Sequence, residues 1–321
     1  MQAVSFPGYG RAEIIEIPRP ALRTSSDAIV LVTTAGIGPW DVERFLSIGA
    51  ENVIPGGEFA GLVVETGEHV SNIELDDLVC NTVNHAVAGG GSEMFGSRAL
   101  PGGHAEYVRV PNADSTLTKI AATGEERAVL AGGVAGLGVS TAASAMIEAP
   151  DGKYAVVGCD PITMTSLIAL KNAGAEDRLI AVEDHTARRT LASGFAGEVF
   201  ASSDTLPERE ASVVIVGSVR EYPGFETVAK LVKPGGCIIF AEPYGLTQAT
   251  EAGITFPEGV MISSAAWPTN EDAKKIVTAM QIRRLDLTPL VSHVIPLDEV
   301  QDAYEAAANA SQGVQKVLLK P

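Results

Sequence analysis

The stretch from Tyr154 to Gly174, YAVVGCDPITMTSLIALKNAG, constrains this chain most. Tyr154–Val157 is a short apolar run of the kind a buried parallel strand requires. Gly158 ends it, and from Pro161 the apolar spacing suits a helix closed by Gly174. Strand, glycine turn and helix make the first half of a dinucleotide-binding βαβ unit. Leu179–Val182 reads as the second strand. It ends in Glu183, roughly 20 residues after the turn, where a carboxylate would hold a ribose 2′-OH.

The turn departs from the fingerprint of such units. G-x-G-x-x-G needs glycine at 158, 160 and 163, and the residues there are Gly158, Asp160 and Thr163. The second glycine lets backbone approach the pyrophosphate and the third lets helix pack on strand. A carboxylate about 4 Å from a phosphate charge costs roughly 4 kcal/mol at an effective dielectric near 20, close to a thousandfold in affinity. Asp160-Pro161 is also a strong helix start, with Asp as N-cap and Pro at N1. One reading puts the protein's own carboxylate in the helix's anion site; another lets a displaced loop or a bridging cation admit a dinucleotide. The plainest reading is a capped helix in an ordinary α/β domain.

The 321 residues are enough for two domains with substantial cores, and 46% hydrophobic against 20% charged residues describe an ordered globular chain. A net charge of −17 argues against nucleic acid and anionic membrane surfaces as partners. The N-terminal MQAVSFPGYGRAEIIEIPRP has no basic region followed by an apolar core, so no signal peptide is expected. No apolar run approaches the roughly 20 residues of a membrane span. Cys80, Cys159 and Cys237 lie far apart, which disfavours a disulfide framework or a thiolate zinc cluster and makes a reducing cytoplasm the expected compartment.

Before the central stretch the pattern is mostly β. Residues 2–20 read as short strands broken by Gly8, Gly10 and Pro18, followed by strands at Ala28–Ala35, Phe59–Glu65, Asp77–Thr82 and His104–Val110. Pro39–Leu46 reads as a helix and the glycine-rich Ala88–Gly103 as a loop. A small-residue helical stretch near Ala131–Gly138 links to alternating strands and helices, with strands at Ala155–Val157, Leu179–Val182, Val213–Val216 and Cys237–Ala241. That alternation is the pattern of a doubly wound parallel sheet. Lys233-Pro234-Gly235-Gly236 reads as a turn before the Cys237 strand. The end reads as a helix (Glu271–Arg283), a strand (Val291–Ile295), a helix (Leu297–Ala308) and a last strand (Gln315–Lys320).

Six segments in this order carry a resemblance: AGIGPWD (35–41), PGGEFAGLVVETGEHV (55–70), PGGHAEYVRVP (101–111), VVGCDPIT (156–163), LVKPGGCIIFAEPYG (231–245) and PLVSHVIPLDEVQDAYEAA with QKVLLKP (289–321). Through them the chain resembles the medium-chain dehydrogenase/reductase superfamily along its length. The resemblance implies an α/β protein with a β-rich GroES-like catalytic domain, residues 1–133 and 269–321. A Rossmann domain with a doubly wound parallel sheet would be inserted at 134–268, and the active-site cleft would lie between the two. It also implies a homodimer or homotetramer acting on a small molecule; the charge and the lack of a membrane span speak for no nucleic-acid or membrane partner.

Zinc relatives hold a catalytic metal on three side chains. The matching positions are Gly38, Gly57 and, less surely aligned, Gly133, and glycine offers no ligand. The segment where a four-cysteine structural lobe would fall, roughly 81–103, has no cysteine. No zinc is expected; Gly38-Pro39 resembles the zinc-free quinone-reductase branch. Asp41 and Glu58 remain from the metal site as candidate acid/base residues, or as carboxylates that bond loop backbone. His85 is a third catalytic candidate, against the commoner surface or core role of a lone histidine. His104 and Tyr107 read as structural, and Cys159 as a small filler beside the first strand.

For the cofactor, the resemblance implies NAD(P) contacts at Gly158, Asp160, Pro161, Ile162, Thr163 and Gly217. Glu183 would sit on the adenosine ribose and favour NAD, Arg188 near the adenine and Lys316 against the pyrophosphate. Asp160 and Thr163 count against that cofactor. The expected activity is a zinc-independent oxidation or reduction of a carbonyl, alcohol or activated alkene. The alternatives are a non-redox isomerase, lyase or cyclase in the same cleft, and a binding protein without catalysis.

Overall fold

Apolar side chains make up most of two nine-residue strands, Ala28–Gly36 and Glu58–Thr66, whose antiparallel pairing is the spine of one sheet. In the computed structural model, which describes residues 1–47, 53–86, 92–120, 123–218, 225–309 and 313–321, the chain forms two units. The first comprises Met1–Gly136, Pro268–Ala310 and Lys316–Pro321; the second comprises Leu137–Trp267 and Ser311–Gln315.

The first unit is built on that sheet, whose strand order is Val291–Pro296, Lys316–Lys320, Ala28–Gly36, Glu58–Thr66, Leu78–Asn81 and Leu117–Lys119. Tyr107–Val110 also pairs with Ala28–Gly36. The register places Gly36 opposite Glu58 on one side and opposite Leu318 on the other. The start of the last strand is thereby brought to the start of the Glu58 strand. The helix Pro39–Phe45 leaves directly from this corner.

The second unit holds six parallel strands in the order Glu198–Phe200, Leu179–Val182, Tyr154–Val157, Ala211–Val216, Val232–Phe240 and Met261–Ser264. Every residue of Tyr154–Val157 and of Ala211–Val216 is buried, as expected of strands covered on both faces. Strand order reverses between these two, and in such sheets ligands bind beyond the carboxyl ends of the strands at that reversal. An α/β chain with one β-rich unit and one doubly wound parallel-sheet unit is thus the observed architecture.

Several sequence expectations need correction. Lys233–Gly236 does not precede the fifth strand but interrupts it. The strand spans Val232–Phe240, and its register against Ala211–Val216 jumps from Val232 to Cys237, with Gly235 at φ +71°. The glycine-rich segment is not all loop: Ser92–Met94 pairs with Asn84–Ala86, while residues 87–91 lie outside the described residues. The strand expected from His104 starts at Tyr107. Leu117–Lys119, Glu198–Phe200 and Met261–Ser264 are strands too short to show a period of two. Among the described residues no helix is long and apolar enough to cross a membrane.

Candidate functional site

In the second unit the glycine turn is closed by its own side chains. Gly158 takes a left-handed φ of +80°, which frees the chain to turn sharply off the strand. Asp160 comes next but one, in extended conformation, as N-cap of the helix Pro161–Asn172. Its Oδ1 accepts from the backbone N–H of Ile162 (2.8 Å) and Thr163 (3.1 Å). Its Oδ2 accepts from the N–H of Ser218 at 2.9 Å, just beyond the Ala211–Val216 strand. One carboxylate therefore collects donors from the segments that follow the two strands flanking the reversal. Gly217 makes room for it: a Cβ there would stand 2.4 Å from Asp160 Oδ2. The Thr163 hydroxyl donates to the Gly158 carbonyl, filling the angle that a glycine would leave open.

The residues expected at the adenosine are likewise engaged with this unit's backbone. Glu183 Oε2 accepts from Cys159 N–H (2.7 Å) and Oε1 from His185 N–H (2.8 Å), folding the carboxylate back onto the turn. Arg188 is buried and donates through Nε and Nη2 to the Val314 carbonyl at 3.1 and 3.0 Å. Gln315 donates to the Cys159 carbonyl at 3.1 Å. Burial, then the charges of Glu183 and Asp160, push the Cys159 thiol well above its usual range, so it is a neutral filler. As it stands, this turn does not fit a dinucleotide.

In the first unit the space at Gly38, Gly57 and Gly133, the positions the resemblance matched to zinc ligands, is filled as well. A Cβ added to Gly38 would lie 2.4 Å from Trp40 Cε2, one added to Gly57 would lie 2.3 Å from Trp40 Nε1, and one added to Gly133 would lie 2.1 Å from Glu58 Oε1. The indole and the carboxylate take the space into which metal-binding side chains would project. Glycine brings no side-chain ligand, and no group of three or more His, Cys, Asp or Glu suited to a metal occurs among the described residues. These residues do not fit a catalytic zinc.

The two candidate acids, Asp41 and Glu58, hold backbone. Asp41 is fully buried and bonds the N–H of Gly38 and of Gly56, both at 2.9 Å, pinning the loop before the helix to the loop before the Glu58 strand. Glu58, also fully buried, accepts from Val134 N–H at 2.7 Å and from Lys316 Nζ, which in turn donates to the Ile37 carbonyl at 2.7 Å. Burial pushes the Glu58 carboxyl above its usual range, and the Lys316 ammonium pulls against that shift. The Lys316 side chain thus serves the first unit's buried ion pair.

His104 lies beneath this layer, with Nε2 3.3 Å from the Gly36 carbonyl and Nδ1 2.8 Å from the Tyr304 hydroxyl. Because a carbonyl only accepts, Nε2 carries the proton and Nδ1 accepts from tyrosine. Burial holds the His104 pKa below its usual 6.5. Tyr107 is half-buried with the Arg19 guanidinium 4.4 Å above its ring. His85 lies in the Asn84–Ala86 strand with its backbone opposite Glu93; its side chain lies outside the described residues.

Two clusters result: Asp160 with Thr163, Ser218 and Glu183 in one unit, and Trp40 with Asp41, Glu58 and Lys316 in the other. Sequence reasoning missed Trp40, although three glycines at ligand positions leave a hole that the nearest large side chain must fill. It also missed Ser218 and Gln315, whose partners are remote in sequence and marked by no local signal.

A β-rich unit around a Gly36–Glu58 corner, with a doubly wound sheet carried between its segments, defines the class of protein. Residues 24–122 match the alcohol dehydrogenase GroES-like domain. The chain is 25% identical to zinc-type alcohol dehydrogenase B of Aspergillus flavus, over all of this chain and 81% of that protein. Alcohol dehydrogenase TADH from Thermus sp. ATN1 superposes with a TM-score of 0.79 at 23% identity, covering 100% of this chain and 99% of its own. A short chain alcohol dehydrogenase from E. coli CFT073, complexed with NADH, gives 0.78 at 19% identity, covering 100% and 99%. Along its whole length the chain is similar to members of the medium-chain dehydrogenase/reductase superfamily.

Proposed function

We propose that this chain is a zinc-independent enzyme of that superfamily. Its reaction class is the oxidation or reduction of a small-molecule carbonyl, alcohol or activated alkene. The observation that carries zinc independence is the Trp40 indole, which stands where side chains at Gly38 and Gly57 would reach for a metal. The reaction class is supported by likeness along the whole chain to proteins named as alcohol dehydrogenases. No hydride step is assigned to particular residues, because the glycine turn does not fit a dinucleotide as it stands. What the chain's own groups do is hold the site's framework: Asp41 ties two loops together, and Glu58 with Lys316 ties the last strand to the Glu58 strand and to Val134.

A second reading, a non-redox isomerase, lyase or cyclase, is favoured by one observation, the Asp160 carboxylate on the donors of the turn. Both readings carry a small-molecule substrate, a homodimer or homotetramer, a cytoplasmic location and the division of function at residues 1–133 with 269–321 and 134–268.

The test combines elemental analysis with assays on a panel of aldehydes, ketones, quinones and enones, with NADH and NADPH offered. The expected result is substoichiometric zinc and turnover that survives a strong chelator. One tightly held zinc per chain, or activity lost on chelation and restored by zinc, would overturn zinc independence. Substrate conversion with no change in nicotinamide would replace the first reading by the second.

A further inference from the structure

We infer that Asp160 is the resident occupant of the pyrophosphate seat in this chain, so that NAD(P) binds only by displacing a carboxylate of the protein. The inference rests on the likeness to that superfamily, from which a dinucleotide is expected at this turn, and not on the reaction being redox.

Three observations carry it. The first is where the donors go. In an unfilled turn, the first N–H groups of the helix and those at the end of the neighbouring strand are left for an anion. Here Ile162 N–H, Thr163 N–H and Ser218 N–H all end on one side chain, at 2.8, 3.1 and 2.9 Å. The second is the fit around that side chain. Gly217 has no room for a Cβ because Asp160 Oδ2 would be 2.4 Å away, and the Thr163 hydroxyl closes the turn onto Gly158. The third is Glu183, whose two oxygens each accept a backbone N–H, from Cys159 and His185, so the carboxylate is turned onto the protein's own turn. An incoming pyrophosphate would have to break the three Asp160 bonds. It would also meet Asp160's charge at a helix end whose dipole that charge already balances.

The protein's carboxylate reproduces the anion in charge and in acceptor geometry while remaining part of the chain. Competition is therefore intramolecular, and cofactor concentration alone is a weak lever against it.

Titration calorimetry of the full chain with NADH and with NADPH, at low and at physiological salt, tests this. Asp160→Gly frees all three donors. Asp160→Ser keeps a good N-cap, so that the helix survives, but is too short and uncharged to hold Ser218. Both variants should bind NADH at least about tenfold more tightly than wild type, the gain being larger at low salt where the original repulsion is least screened. Melting curves accompany each titration, and Asp160→Ser carries the test if Asp160→Gly does not fold. Folded variants that bind no better than wild type would overturn the inference, as would wild-type binding in the micromolar range that neither variant improves. Because binding is read directly, a failed activity screen leaves this result standing, and a failed titration leaves zinc independence untouched.

Discussion

At the scale of single residues, the buried charges of the first unit predict the largest effects. Glu58 and Lys316 are both essentially without solvent contact, and each is the other's charge partner. Removing one strands the other, which typically costs about 3–5 kcal/mol, whereas replacing both with apolar side chains of similar volume is often neutral. Glu58→Gln should therefore lower the melting temperature sharply, and Glu58→Leu combined with Lys316→Met should recover most of the loss. A Glu58→Gln protein that melts like wild type would show that the pair does not bear on stability. Without that control, lost activity in Glu58→Gln says nothing about proton transfer. His104 gives the pH dependence. Its folded pKa lies below 6.5, chiefly through burial, so its contribution is complete above about 6.5 and is lost as pH falls toward the folded value. Protonating Nδ1 would also break the bond from Tyr304. Thermal melts should decline more steeply from pH 7 to 5 in wild type than in His104→Gln, which starts lower but lacks this titration. Parallel slopes would remove His104 as a cause.

At the scale of elements, what the sequence made legible depends on how local each cause is. Tyr154–Val157 and Leu179–Val182 stand out because parallel strands buried on both faces are continuous apolar runs. The start of the next helix is legible in Asp160-Pro161, since capping needs only neighbours in sequence. Lys233–Gly236 shows the limit of the same logic: its turn chemistry is real, but the strand resumes on both sides and turns the segment into an outward bulge. Ser218 as a third partner of Asp160 depends on the pairing of Tyr154–Val157 with Ala211–Val216, which no local pattern announces. The same holds for Trp40, in the first turn of the Pro39–Phe45 helix, where it packs against a glycine of that turn and another from a different strand's approach. Trp40 and Gly57 should therefore be energetically coupled. Gly57→Ala should destabilise by roughly 1–3 kcal/mol through overpacking, and Trp40→Ala by about 3–5 through a cavity. With the indole gone the new methyl has space, so the double variant should be no worse than Trp40→Ala alone. Simple additivity in denaturant melts would show that the indole is not what excludes a side chain at Gly57.

At the scale of the whole molecule, charge is the dominant feature: 40 acidic residues face 23 lysines and arginines. Two effects of salt compete. Screening weakens the attractive surface pairs, such as Arg19–Glu65 at 2.7 Å, Lys119–Asp77 at 2.7 Å and Lys171–Glu176 at 2.9 Å. It also weakens the self-repulsion of a net charge of −17, which disfavours the compact state. Exposed pairs are each worth about 0–1 kcal/mol, and at contact distance they lie well inside the Debye length even at physiological salt. The repulsion is spread over the whole surface, where separations exceed the Debye length of about 8 Å at 0.15 M but not that of about 30 Å at 0.01 M. Salt should therefore remove more repulsion than attraction. Raising NaCl from about 0.01 to 0.15 M should stabilise the fold by about 1 kcal/mol, a rise in melting temperature of about 1–2 °C for a chain of this size. Scans in buffers of matched pH check this, and potassium glutamate in place of NaCl separates ionic strength from specific chloride binding. A flat or falling melting temperature across that range would mean that the local pairs outweigh the net charge, and that the excess of acidic residues is spaced widely enough to be harmless to folding.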